Sequence, residues 1–221
     1  MLTPLPVWLD QAFSPARLDR YLRACRGNGV AAERLYWWNV EISGAFYGPL
    51  HCLEVTLRNA LHNELRTKYG KPDWWTNVTL TRSGVEAVTE ARRKSQRRNR
   101  PGNADDVVAQ LSFGFWVSLL SAGAAYDRVL WVPALHRAFR HYSGTRRALH
   151  DNLLTMVLLR NRIMHHEPIY YRDLAADHRK LYRLLGYLSP DAVARARALD
   201  RVGAVLGRRR DVCTGVRPPS F

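Results

Sequence analysis

Apolar residues recur along this chain at helical spacing, and no stretch of useful length alternates apolar with polar positions as a half-buried strand does. The clearest stripe is Leu50, Leu53, Leu57, Leu61 and Leu65, which predicts an amphipathic helix over 50–69 with Gly70 as its stop. Gly48-Pro49 precedes it, and a further helix is predicted over 31–42. Ser14-Pro15 reads as an N-cap followed by proline at the first helical position, opening a helix toward Cys25 that Gly27 and Gly29 end. Residues 71–80, with Trp74-Trp75, read as a loop. Helix signals resume near Gly84, and Asn103-Ala104-Asp105-Asp106 supplies an N-cap and first-turn carboxylates for a helix running to Leu120. A short helix over 131–142, a long one over 145–164, and two more over 173–188 and 190–206 complete the pattern. It predicts an all-α protein with one domain over 1–210, followed by a flexible tail over 211–221.

The helix over 145–164 ends in unusual company. Leu154, Leu158, Asn161 and His165 fall at i, i+4, i+7 and i+11, so the two polar side chains extend the leucine stripe and are expected to face a core or an interface. Arg160 continues the neighbouring stripe of Leu153, Val157 and Met164, and its long side chain can curl back toward His165. Pro168 makes further helix costly, since it clashes with the preceding turn and donates no hydrogen bond. Arginine, amide and imidazole thus collect at one helix end, a composition suited to an anion.

Those residue types match the needs of RNA cleavage without a metal: a base for the 2'-hydroxyl, a cation for the phosphorane oxygens and an acid for the leaving 5'-oxygen. Imidazole, with a pKa near 6.5, exchanges protons at neutral pH, and guanidinium grips phosphate bidentately. One cluster supplies one histidine; two copies across a dimer axis supply two. Capping of helix carbonyls and complementing the helix dipole is the plainer reading of the same residues. Metal binding by His165-His166-Glu167 ranks lower, because neighbouring helical residues diverge by about 100°.

Charge sharpens the picture. The 221 residues carry 34 Lys plus Arg against 19 Asp plus Glu, a formal charge of +15, which favours nucleic acid as a partner. With 47% hydrophobic residues the chain is expected to fold rather than remain disordered. Arg92, Arg93, Lys94, Arg97, Arg98 and Arg100 form a basic run suited to tracking RNA phosphates, or equally a solvated face. Trp37-Trp38 and Trp74-Trp75 offer rings for base stacking, with at least one of each pair expected in the core. Cys25, Cys52 and Cys213 are widely spaced and are expected to act as small buried apolar residues, and no cofactor or metal is implied. No targeting segment or membrane span is read, so a cytoplasmic protein is expected.

Arg160-Asn161-Arg162-Ile163-Met164-His165 resembles the R-N-x-x-x-H form of the HEPN ribonuclease motif. With Arg20-Tyr21, Leu35-Tyr36-Trp37-Trp38-Asn39, Glu54 before Leu57-Arg58-Asn59, Tyr69-Gly70 before Trp74-Trp75, Leu111-Ser112-Phe113-Gly114-Phe115-Trp116 and His166-Glu167-Pro168, the chain is similar to Abi-like proteins of bacterial abortive infection, the group that includes AbiD and AbiF. The resemblance implies a HEPN-like helical bundle with additional N-terminal helices, a homodimer that pairs two motifs, and metal-independent cleavage leaving a 2',3'-cyclic phosphate and a 5'-hydroxyl. It further implies a toxin-like role in phage defence, with RNA as substrate and regulator and an antitoxin protein or RNA as a further partner. Arg160, Asn161 and His165 take the catalytic positions, and Glu54, Arg58 and His166 the supporting ones. The alternative is a non-catalytic HEPN module that binds RNA or a protein partner, in which the same arginine and histidine are structural.

Overall fold

A computed structural model describes residues 3–97 and 103–220. The protein is all-α: the described residues contain no strand, only an isolated bridge between Thr3 and Asn28. The α-helices are α1 (Val7–Phe13), α2 (Pro15–Ala24), α3 (Gly29–Tyr69), α4 (Arg82–Arg97), α5 (Ala104–Gln110), α6 (Phe113–Ser118), α7 (Arg146–Met164), α8 (Leu174–Leu188), α9 (Pro190–Leu199), α10 (Val202–Gly207) and α11 (Arg209–Thr214). Asn103 caps α5 as its sequence position suggests, its Oδ1 accepting from the Asp106 N–H at 2.9 Å. Pro15 opens α2, but the Ser14 side chain makes no capping bond and Ser14 turns the chain at φ +66°.

Several boundaries differ from the sequence pattern. The helices expected over 31–42 and 50–69 are one helix, with Pro49 inside it. A proline inside a helix costs about 3 kcal/mol, whereas fully burying a leucine returns roughly 1.5–3 kcal/mol. Leu53, Leu57, Leu61 and Leu65 are all completely buried, so the apolar face outweighs the break. The helix expected over 103–120 divides because Ser112 caps a new start, its Oγ accepting from the Phe115 N–H at 3.2 Å. In place of the helix expected over 131–142 the chain forms short turns, a π-turn over Asp127–Trp131 and a 3₁₀ turn over Leu135–Ala138, on either side of Pro133. The stretch 190–206 breaks where Asp200 Oδ1 accepts from the Val202 N–H at 2.8 Å. The expected tail begins as helix α11, with Val212 fully buried. All three cysteines are free and part-exposed rather than buried, since none lies on a fully covered stripe.

The chain divides into two compact units of non-contiguous segments. The first comprises Met1–Pro49, Asn161–Arg179 and Leu199–Phe221. Leu9, Leu18, Tyr21, Trp38, Ile42, Phe46, Val202 and Val205 form its core, and the Trp38 indole donates to the Val205 carbonyl at 3.2 Å. Glu41 is fully buried there and accepts a charged hydrogen bond from Arg208. Asn39 Oδ1 accepts from the N–H groups of Ile169 and Tyr170 at 2.8 and 3.1 Å, which pins the segment after Pro168. The second unit comprises Leu50–Arg160 and Lys180–Ala198, with a core of the α3 leucines, Trp74, Trp116, Leu149, Leu153, Met156 and Leu159. Among the described residues no helix is long and apolar enough to cross a membrane.

Candidate functional site

Leu149, Leu153, Met156, Leu159 and Ile163 bury one face of α7. Arg160 lies at the margin of that face, half-buried, and its Nε donates to Glu54 Oε2 of α3 at 3.2 Å. The pair joins residues 106 apart in the chain, and with side-chain exposures of 33% and 23% it is shielded more than a surface pair. Glu54 therefore fixes the direction of the guanidinium while leaving its terminal nitrogens able to donate. Arg58, one turn further along α3, donates instead to Asn59 Oδ1 at 3.2 Å and lines a cavity of the same unit that neither Glu54 nor Arg160 lines.

Beyond Arg160 the helix ends in a paired-bond stop. The Glu167 N–H returns to the Arg162 carbonyl at 2.8 Å and the His166 N–H to the Ile163 carbonyl at 3.0 Å, with His166 left-handed at φ +56°. This position usually holds glycine. Where such a stop normally carries an apolar contact, Arg162 and Glu167 form an ion pair at 3.0 Å, and Arg162 also lies over the Tyr171 ring. The Arg17 guanidinium donates to the His166 carbonyl at 2.7 Å and braces the turn.

Asn161 and His165 are exposed, and neither side chain has a hydrogen-bond partner among the described residues. Leu154 and Leu158, on the same stripe, are 40% and 53% exposed. Of the two expected surroundings, core or interface, the core of the chain is not the one: α7 packs through the Leu149–Leu153–Met156 face, and the stripe is exposed on the single chain. His166 and Met164 line a cleft of 1030 Å³ in the first unit, together with Phe13, Tyr36, Trp37 and Asn39. Trp37 is half-buried there, whereas Trp38, Trp74 and Trp75 are core.

Arg92, Arg93 and Lys94 are exposed on α4, with Arg93 and Lys94 both paired to Glu90. Arg97 ends α4; Arg98 and Arg100 lie outside the described residues. Among the described residues, no group of three or more His, Cys, Asp or Glu side chains is arranged to hold a metal ion.

The stripe Glu54, Arg58 and His62, at successive i+4 positions of α3, carries a buried histidine. His62 is 7% exposed; its Nδ1 accepts from the Trp74 indole N–H at 3.2 Å, which assigns the ring proton to Nε2. Burial holds its pKa below the usual imidazole value, with Asp105 opposing and Arg66 and Arg58 reinforcing the shift. Nε2 is buried without a partner among the described residues.

No family model, curated protein or solved structure matches the chain.

Proposed function

We propose that the protein is a metal-independent endoribonuclease of the HEPN type that acts as a toxin-like effector in phage defence in the cytoplasm. The observation that carries this reading is the end of α7, where a guanidinium oriented by Glu54 is followed by an amide and an imidazole with no competing partner among the described residues. In this reading Arg160 neutralises the phosphorane, His165 transfers the proton, and Asn161 donates to a phosphate oxygen or orients the imidazole. General acid–base work of this kind contributes about 10²- to 10⁴-fold.

Base and acid together call for two imidazoles. A homodimer supplies them, and the open Leu154 and Leu158 stripe beside Asn161 and His165 is the kind of apolar surface a second copy covers. In the first unit the cleft beside His166 offers the half-buried Trp37 ring to a base; in the second unit, taken by itself, Arg92, Arg93 and Lys94 offer cations to an RNA backbone. Mixed RNA incubated in EDTA with wild type, Arg160→Ala and His165→Ala tests the proposal. Cleavage by wild type and loss of at least 100-fold in each variant, with RNA binding by His165→Ala retained, is the expected result.

A second reading is favoured by one observation, the commitment of Arg160 to Glu54, which suits a structural brace in a non-catalytic RNA-binding or partner-binding module. Equal, metal-independent inertness of all three proteins with unchanged gel-shift affinity supports that reading instead.

A further inference from the structure

On α3, past the residue that grips Arg160, the side chains of Arg58, Asn59, His62, Asn63 and Arg66 turn toward α5 and line a cavity of 350 Å³. That space greatly exceeds the roughly 10–15 Å³ a single water needs. The α3 side of the wall carries two guanidiniums, two carboxamides and an imidazole, and the α5 side carries the Asp105 carboxylate with Val108 and Ala109. With His62 neutral, the formal charge of the lining is two arginines against Asp105, a net of +1.

His62 makes the strongest case. Its ring is held by Trp74 through Nδ1, and the Trp116 ring stands edge-on to it, so its orientation is set by the core and not by solvent. This leaves Nε2–H as a buried donor with no acceptor among the described residues, a situation that costs about 1–3 kcal/mol. Asn63 and Arg66, also on the lining, are exposed and have no partner among the described residues. A buried, preoriented donor beside two arginines and two amides is matched by a tetrahedral oxyanion, which accepts from several directions at once.

We propose that this cavity is a phosphate-binding site, in which Arg58 and Arg66 neutralise the phosphate, Asn59 and Asn63 donate to its oxygens, and His62 Nε2–H supplies the donor from the core side. The phosphate is carried by a free nucleotide or by an RNA backbone. The site is independent of the reaction proposed for α7, since its occupancy is read by binding and requires no turnover.

The test is a ¹H–¹⁵N spectrum of the histidine rings of the full chain, titrated in turn with inorganic phosphate, adenosine 5'-monophosphate and a short oligoribonucleotide bearing 2'-O-methyl groups that block cleavage. Saturable movement of the His62 Nε2 resonance is expected with phosphate. Arg66→Gln, at an exposed position, should weaken it at least fivefold, and Arg58→Gln with Arg66→Gln should abolish it. Tighter binding of the monophosphate with no further gain from the oligonucleotide identifies a nucleotide site. A gain with the oligonucleotide, and a log K against log salt slope reduced by about 1 in Arg66→Gln, identifies the RNA backbone; either result supports the proposal. A His62 resonance that stays still with all three probes overturns it. So does movement that is undiminished in the double arginine variant while near-ultraviolet dichroism reports an intact fold.

Discussion

Replacing Glu54 by Gln keeps an oxygen acceptor for Arg160 and removes only the charge. At 3.2 Å the gross attraction in an effective dielectric near 20 is about 5 kcal/mol. Both groups retain part of their water, at 33% and 23% side-chain exposure, and each gave up some hydration to meet. The net coupling therefore lies between that of exposed pairs and of fully buried ones, on the order of 1–2 kcal/mol. A double-mutant cycle of Glu54→Gln, Arg160→Gln and the double variant, followed by urea unfolding, reads this number directly. The same substitution loosens the guanidinium, so Glu54→Gln should lower RNA cleavage about tenfold through kcat, equivalent to about 1.4 kcal/mol in the transition state, with folding intact. A coupling below about 0.3 kcal/mol, within the range of additive independent sites, would refute the claim that Glu54 positions Arg160.

Burial of His62 in neutral form makes folding pH-dependent: the unfolded chain binds the proton more readily, so this stability is complete above about pH 6.5 and is lost as pH falls. His62→Gln, which keeps an acceptor for Trp74, should flatten the difference in unfolding free energy between pH 7.5 and 5. At His166 the left-handed backbone costs about 1–2 kcal/mol for a residue with a Cβ, so His166→Gly should leave thermal stability unchanged or raised while His166→Val lowers it. Arg208→Leu strands the buried Glu41 carboxylate and should destabilise the protein by about 3 kcal/mol in urea unfolding, with Glu41→Gln in the same chain recovering most of the loss.

Local signals on the chain were legible where one element decides the outcome. The Asn103 cap, the Gly70 stop and the α7 limits follow from side chains within four residues of each boundary. Pro49 misleads because its cost is local while the return from Leu53 to Leu65 is tertiary. Ser112 had the chemistry of an N-cap in plain sight, inside a run whose aromatic residues suggested continuity. At the site, Arg160, Glu54, Asn161 and His165 are all readable as residues, yet the union of Arg160 with Glu54 spans 106 positions and no spacing rule reaches that far. The left-handed His166 left only an indirect trace, Arg162 and Glu167 five apart with Pro168 following. His62 is readable as the third member of the Glu54, Arg58 and His62 stripe, but its burial is not: its bond to Trp74 crosses a turn, and Nε2 is enclosed only once the core has closed around it.

The chemistry of the RNA ends is the most direct test of the proposed catalysis. RNA cleaved by the purified protein in EDTA should carry 2',3'-cyclic phosphates and 5'-hydroxyls, and no such ends should appear with His165→Ala. Fragments bearing 3'-hydroxyls and 5'-phosphates, formed equally by His165→Ala and restored by Mg²⁺ after chelation, would contradict the account.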